Sequence, residues 1–152
     1  MLIFLILLWT SPAFAQEAFK VDEFVNIPCD EYLARMDVVF HEASNSPAAT
    51  VYILLYEGKV MDYNPRTKRW ELMRPKVGLA EARIRSIKNY IDHRGFDKTR
   101  FVFLKAGFRK EASFEAWFVP PGASPPTPTN AIPKMRYRPG RAVGFCVECC
   151  GP

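Results

Sequence analysis

Apolar positions recur along this chain with two different periods, and the switches between them mark its elements. Between Phe19 and Ile27, Phe19, Val21, Phe24 and Val25 are mixed with charges as in a first edge strand, which Pro28 ends. From Asp30 the period becomes helical: Leu33, Met36, Phe40 and Ala43 fall at i, i+3, i+7 and i+10, with Tyr32 and Val39 alongside. Glu31, Arg35, Asp37 and Glu42 form the wet side, and Asn45-Ser46-Pro47 stops the helix. Val51-Tyr-Ile-Leu-Leu-Tyr56 is a run of strand formers suited to a central strand buried on both faces.

A polar stretch follows from Glu57 to Val77, longer than an ordinary connection. It carries Lys59, Arg66, Lys68, Arg69, Arg74 and Lys76 against Asp62 and Glu71, with Tyr63 and Trp70 interleaved. Asn64-Pro65-Arg66-Thr67 predicts the turn of an exposed hairpin. Gly78 opens a second helix whose buried stripe is Ala80, Ile84, Ile87 and Ile91, with Tyr90 beside it and Gly95 as C-terminal cap. Its solvent side offers Glu81/Arg85 and Lys88/Asp92 as i,i+4 pairs. Phe101–Ala106 and Ser113–Val119 read as strands joined by a turn over Gly107–Ala112, an antiparallel hairpin with Phe114, Ala116 and Phe118 on one face. The order strand, helix, strand, helix, strand, strand predicts an α+β fold, a two-layer βαβαββ sandwich over residues 16–119 with both helices on one face.

After Val119 the prolines (Pro120, Pro121, Pro125, Pro126, Pro128 and Pro133) predict a disordered, extended linker or spacer over 120–133. Residues 134–152 form a basic tail containing cysteines. At the other end, the unbroken apolar run Leu2–Trp9 and Ala13-Phe14-Ala15 before Gln16 read as a signal peptide over 1–15. The core is too short to span a bilayer, which takes about 20 residues. The alternative is a buried N-terminal strand. Export to the periplasm or beyond is therefore expected, with no transmembrane segment in the mature chain and no lipoprotein cysteine after the cleavage site.

The formal charge of +5 lies wholly after residue 15. Outside the cytoplasm such a surface suits anionic wall or membrane surfaces and not nucleic acid; the plainer reading is a soluble basic surface. Cys29, Cys146, Cys149 and Cys150 allow three complete pairings in an oxidising compartment. A vicinal bridge between Cys149 and Cys150 is strained, so Cys146 or Cys149 is the expected partner of Cys29. The Cys146-x-x-Cys149 spacing also suits zinc or redox exchange, but no second ligand pair and no helix after it support either. No metal or cofactor is expected.

Three stretches resemble the OmpA-like C-terminal domain, a periplasmic module that binds peptidoglycan. Tyr32-Leu-Ala-Arg-Met through Pro47, leading into Val51-Tyr-Ile-Leu-Leu-Tyr, is similar to that family's first helix and following strand. Leu79-Ala-Glu-Ala-Arg83-Ile-Arg-Ser-Ile87-Lys-Asn-Tyr90-Ile91 resembles its second helix. Arg94-Gly95-Phe96-Asp97-Lys-Thr-Arg100-Phe with Gly107-Phe-Arg resembles the region after it. Trp117-x-Val-Pro-Pro-Gly-Ala-x-Pro-Pro126 is similar to a run in exported bacterial proteins and implies no activity.

The resemblance implies an Asp–Arg clamp on the diaminopimelate of the wall peptide. Arg83 falls on the Arg position, roughly 70° from the centre of the apolar stripe at 100° per residue, where it would rim a groove. The family's Gly-His-Thr-Asp is replaced by Tyr56-Glu57-Gly58-Lys59, leaving Glu57 or Asp62 to supply the carboxylate. Arg83 as a solvated helix residue pairing with nearby acids is the plainer alternative.

Catalysis has little footing. His41 and His93 both sit near helix C-terminal ends, where an imidazole simply favours the dipole. There is no Gly-x-Ser-x-Gly elbow and no phosphate-cradling glycine loop. Glu57, Asp62 and Glu71 leave open a wall-glycan hydrolase using a carboxylate pair. The hairpin around Trp70 is the other candidate site. Trp70 and Tyr63 offer rings to sugars or an envelope protein while its cations meet anions; otherwise these aromatics only cover the sheet edge. The expected partners are peptidoglycan or an envelope protein. The alternative is a structural domain of the envelope that takes no small ligand.

Overall fold

The computed structural model describes residues 16–129, 131–144 and 146. The signal-peptide reading, Cys149 and Cys150 lie outside the described residues. The chain runs β1 (Phe19–Val25), α1 (Cys29–Asn45), β2 (Thr50–Asn64), β3 (Arg69–Met73), β4 (Lys76–Val77), α2 (Leu79–Arg94), a 3-10 turn (Lys98–Arg100), β5 (Phe101–Glu111), β6 (Ser113–Val119) and β7 (Arg138–Arg141). The fold is mixed α+β. Among the described residues no helix is long and apolar enough to cross a membrane.

The first half of β2 is the centre of the main sheet. It pairs antiparallel with β6 from Thr50↔Val119 to Tyr56↔Ser113, and parallel with β5 from Val51↔Phe101 onwards. β1 lies outside β6, antiparallel to it. The last five residues of β2 pair with β3, forming a two-stranded ribbon that extends from the sheet.

β5 and β6 therefore do not form the expected hairpin, because β2 lies between them. Gly107 does not turn the chain either. It takes φ +98° at a bulge in the β2–β5 register, and β5 runs on to Glu111. The actual crossing occurs at Ala112, whose N–H donates to Lys59 O at 2.9 Å as the link passes over Gly58. A Cβ on Gly58 would meet the Glu111 carbonyl carbon at 2.2 Å, so only glycine permits this crossing.

Strand alternation gives the sheet two different faces. Val51, Ile53, Leu55, Phe114, Ala116 and Phe118 meet Met36, Val39, Phe40 and Ala43 of α1 and Ile87, Tyr90 and Ile91 of α2 in the main core. Side chains such as Phe40, Ile87 and Ile91, buried completely, each contribute about 1.5–3 kcal/mol. Gly95 caps α2 with φ +72°, and the Phe96 N–H closes onto Ile91 O at 3.1 Å. Arg100 ends α1 from outside, its Nη2 donating to the carbonyls of Ala43, Ser46 and Ala49. The expected i,i+4 pairs of α2 are replaced by tertiary ones: Glu81 takes Lys105 at 2.9 Å and Asp92 takes Lys98 at 3.0 Å.

The outer face carries a smaller apolar cluster of Leu54, Tyr56 and Ala106, flanked by Tyr52, Leu104 and Trp117. The proline-rich segment packs back here, where a disordered spacer was expected. Thr129 N–H donates to the Tyr56 hydroxyl at 3.1 Å, Ala131 and Ile132 N–H both donate to Phe108 O, and Pro126 is buried. Proline forbids a new ladder strand, yet the apolar outer face still gains by being covered.

Candidate functional site

Glu57 is the first outward step of β2 beyond the core, and it points at the start of α2. Its Oε1 accepts the Ala80 N–H at 2.9 Å, supplying the carboxylate that α2 lacks at its own Gly78 cap. Its Oε2 accepts the Tyr137 hydroxyl. Burial, then that hydrogen bond and the nearby Glu57 and Glu81 charges, push the Tyr137 phenol up to about 12. Glu57 is left 8 % exposed. Around it Leu55, Val77, Gly78, Glu81, Lys105, Gly107, Phe108 and Tyr137 line a shallow, mostly apolar cleft of about 410 Å³.

Arg83 does not rim this cleft. It is 9 % exposed and lies with Phe24, Asn26, Ile27 and Tyr32 around a small internal space. The buried side of α2 is wider than the apolar stripe suggested, taking in Ala82 and Arg83, because the β1–α1 connection closes over it. Burial lowers the Arg83 pKa, while the Tyr32 hydroxyl and the Glu57 carboxylate act to raise it. Burial likewise pushes the Tyr32 hydroxyl up, tempered by the Arg83 charge. Glu57 and Arg83 thus feel each other electrostatically, in the interior of the fold.

Asp62 and Trp70 sit apart from these two, on the β2–β3 ribbon. Asp62 pairs with Arg138 of β7 and also accepts the Tyr63 N–H at 2.8 Å. Trp70 lies across from Tyr63, with ring centroids 6.1 Å apart and edge to face, and is 67 % exposed. No protein-family model, characterised protein or solved structure matches this chain.

The tail ties the candidate carboxylates down one after another. Tyr137 holds Glu57 and Arg138 holds Asp62, while β7 pairs in parallel with β4 from Lys76↔Arg138 to Val77↔Arg141. Cys146 bonds to Cys29 at the start of α1, with Cα atoms 5.3 Å apart. Of the two partners expected for Cys29, the structure takes Cys146.

Sequence reasoning missed a polar cluster on the outer face. Glu115 is 3 % exposed and receives Arg109 Nη2 at 2.6 Å and Trp117 Nε1 at 2.8 Å, with Lys20 at 3.5 Å. Arg109 stacks on the Tyr56 ring at 3.5 Å and also reaches Glu23, Ser113 and Thr129. Burial pushes the Glu115 carboxyl up, but the Arg109 and Trp117 hydrogen bonds outweigh it and hold the pKa low. The signal was available: alternation through Phe114, Ala116 and Phe118 puts Ser113, Glu115 and Trp117 together on the second face. Every polar end of this cluster has a partner, so it acts as a clamp joining β1, β5, β6 and the tail.

Glu71 accepts hydrogen bonds from Thr67 and Asn64, which lower its pKa; a general acid needs the opposite shift. Among the described residues no group of three or more His, Cys, Asp or Glu is placed to hold a metal ion.

Proposed function

We propose that this is an exported, non-enzymatic binding module of the cell envelope, and that it recognises its partner through the β2–β3 ribbon. The observation carrying this reading is a contrast in how the candidate residues are used. Glu57, Asp62 and Glu71 each accept donors from within the chain and Arg83 is buried, whereas Trp70, Tyr63 and the ribbon cations face solvent. The Cys29–Cys146 disulfide supports export, since such bonds persist in oxidising compartments. The βαβαββ order of the larger elements, with the resemblances around Tyr32, Arg83 and Arg100, supports an OmpA-like ancestry.

The test is sedimentation of the oxidised protein, beginning at Gln16, with a total envelope fraction of walls and membranes. Trp70→Ser with Tyr63→Ser is expected to lower the bound fraction at least tenfold while the far-ultraviolet spectrum is unchanged. Equal sedimentation of variant and wild type would refute recognition through the ribbon.

A second reading, capture of the peptidoglycan stem peptide, is favoured by the electrostatic coupling of Glu57 to Arg83 beside an apolar cleft. It requires Tyr137 to leave Glu57. Tyr137→Phe should then strengthen binding to purified peptidoglycan, and binding unchanged by that substitution would remove the reading. A wall hydrolase would clear a turbid wall suspension; under the proposal no clearing occurs.

A further inference from the structure

The ribbon has two unlike faces. Cross-strand pairing puts Met61 opposite Leu72 and Tyr63 opposite Trp70, so these four side chains share one face, and all four are exposed. The other face carries Val60, Asp62, Asn64, Arg69, Glu71 and Met73. There the tail covers it: Arg138 pairs with Asp62 and its Nη1 approaches Met73 Sδ at 3.7 Å. Among the described residues the tail thus lies on the polar face, and the apolar ladder is exposed.

Charge surrounds that ladder. Arg66, Lys68 and Arg69 crowd the turn, and Lys59 and Arg74 flank the base; among the described residues none of the five has an ion-pair partner. The two acids of the ribbon are already engaged, Asp62 by Arg138 and Glu71 by Thr67 and Asn64. What faces outward is therefore apolar and aromatic in the middle and cationic at both ends.

Building on the envelope-binding reading, we infer that this face docks on the surface of an anionic phospholipid bilayer. Trp and Tyr favour the polar–apolar boundary of a bilayer, Met61 and Leu72 suit its acyl side, and Arg and Lys reach back to phosphate headgroups along flexible stems. Met61, Tyr63, Trp70 and Leu72 line neither of the spaces described above, and all four are exposed, so the ladder presents an open face rather than a pocket. A bilayer needs none. Arg138 matches the charge of Asp62, and the remaining carboxylate of the ribbon, Glu71, is outnumbered by the five cations, so the attraction is for anionic lipid and is weakened by salt.

The experiment uses the oxidised protein from Gln16 with Trp117→Phe, so that Trp70 is its single tryptophan. It is mixed with vesicles of phosphatidylcholine alone, with vesicles also containing phosphatidylglycerol, and separately with purified peptidoglycan. Expected are co-sedimentation with the phosphatidylglycerol vesicles that rising salt weakens, a blue shift of Trp70 emission, and its quenching by brominated lipid. Trp70→Ser with Tyr63→Ser, made in the wild-type chain, should cut vesicle binding at least tenfold, as should Arg66→Gln with Lys68→Gln and Arg69→Gln. Both variants change exposed side chains only, and an unchanged urea midpoint verifies their fold. Vesicle binding with unshifted Trp70 emission, or equal binding by the variants, would overturn the inference. Binding to peptidoglycan and not to vesicles, or to neither, overturns the lipid partner; the envelope reading falls with it only if the protein also fails to sediment with the total envelope fraction.

Discussion

Replacing Gly58 with alanine puts a methyl group where the β5–β6 link runs. An ideal Cβ there lies 2.2 Å from the Glu111 carbonyl carbon, 2.4 Å from Ala112 N and 2.6 Å from Glu111 O. Carbon contacts settle at about 3.5–4.0 Å, so the link must lift by more than about 1 Å. All three neighbours are backbone, so no side-chain rotation relieves the clash. Lifting the link breaks the Ala112 N–H bond to Lys59 O, about 1 kcal/mol, and adds an overpacking cost of about 1–3 kcal/mol. The expected loss is about 3 kcal/mol, a large part of a total stability of about 5–15 kcal/mol, and corresponds to roughly 10 °C in Tm. Urea unfolding followed by circular dichroism measures it. Gly122→Ala is the control: its φ of +83° disfavours alanine by about 1 kcal/mol, but nothing lies within 4 Å of the new Cβ. A Gly58→Ala loss no greater than that of Gly122→Ala would refute the crossing.

Cys29→Ser with Cys146→Ser releases a closure spanning 117 residues and should cost about 2–5 kcal/mol; a urea midpoint equal to that of the oxidised parent would contradict the tether. Because the folded Glu115 pKa is lowered, its stabilisation is complete above the unfolded carboxylate pKa of about 4.3 and is lost as pH falls through the lower folded value. Glu115→Gln should therefore cost about 2 kcal/mol at neutral pH and flatten the acid limb of the stability curve, which denaturation at a series of pH values below about 5 would reveal. Glu57→Gln removes the charge that helps hold the Tyr137 phenol at about 12, so ultraviolet titration should find one tyrosine ionising at lower pH; an unchanged titration would separate Tyr137 from Glu57.

Both helices and the four strands of the main sheet are legible in the chain because each has an apolar face that repeats at its own period. Met36, Val39, Phe40 and Ala43 are buried as the spacing of α1 requires, and Gly95 stops α2 for the reason its sequence position suggests. The pairing of β5 and β6 was not legible. Neighbours in sequence usually pair in space, and nothing local reveals that β2 is inserted between them. Gly58 is the trace that insertion leaves, visible only once the crossing chain is in view. The wide buried side of α2 escaped for a similar reason. Arg83 is polar by composition, and its burial is decided by Tyr32 and Ile27 arriving from the other end of the chain. Proline composition identified where the sheet stops, but it is silent on whether the following segment packs; the apolar outer face around Tyr56 and Trp117, which that segment covers, decides it.

These two kinds of illegibility bear on the same functional question. The carboxylates that spacing offers as ligands, Glu57 and Asp62, are held by consecutive tail residues, Tyr137 and Arg138. A groove whose acids are engaged by hydroxyl and guanidinium groups already attached to the chain gives an outside ligand a competitor at high effective concentration. An incoming wall peptide would have to displace two such contacts while β7 stays paired to β4 and Cys146 to Cys29. The ribbon faces no such competitor. Among the described residues its five cations have no ion-pair partner and its Trp70–Tyr63 face is exposed, so binding there forfeits no contact made among them. That asymmetry, more than the presence of any one residue, is what favours the ribbon over the cleft in the recognition we propose.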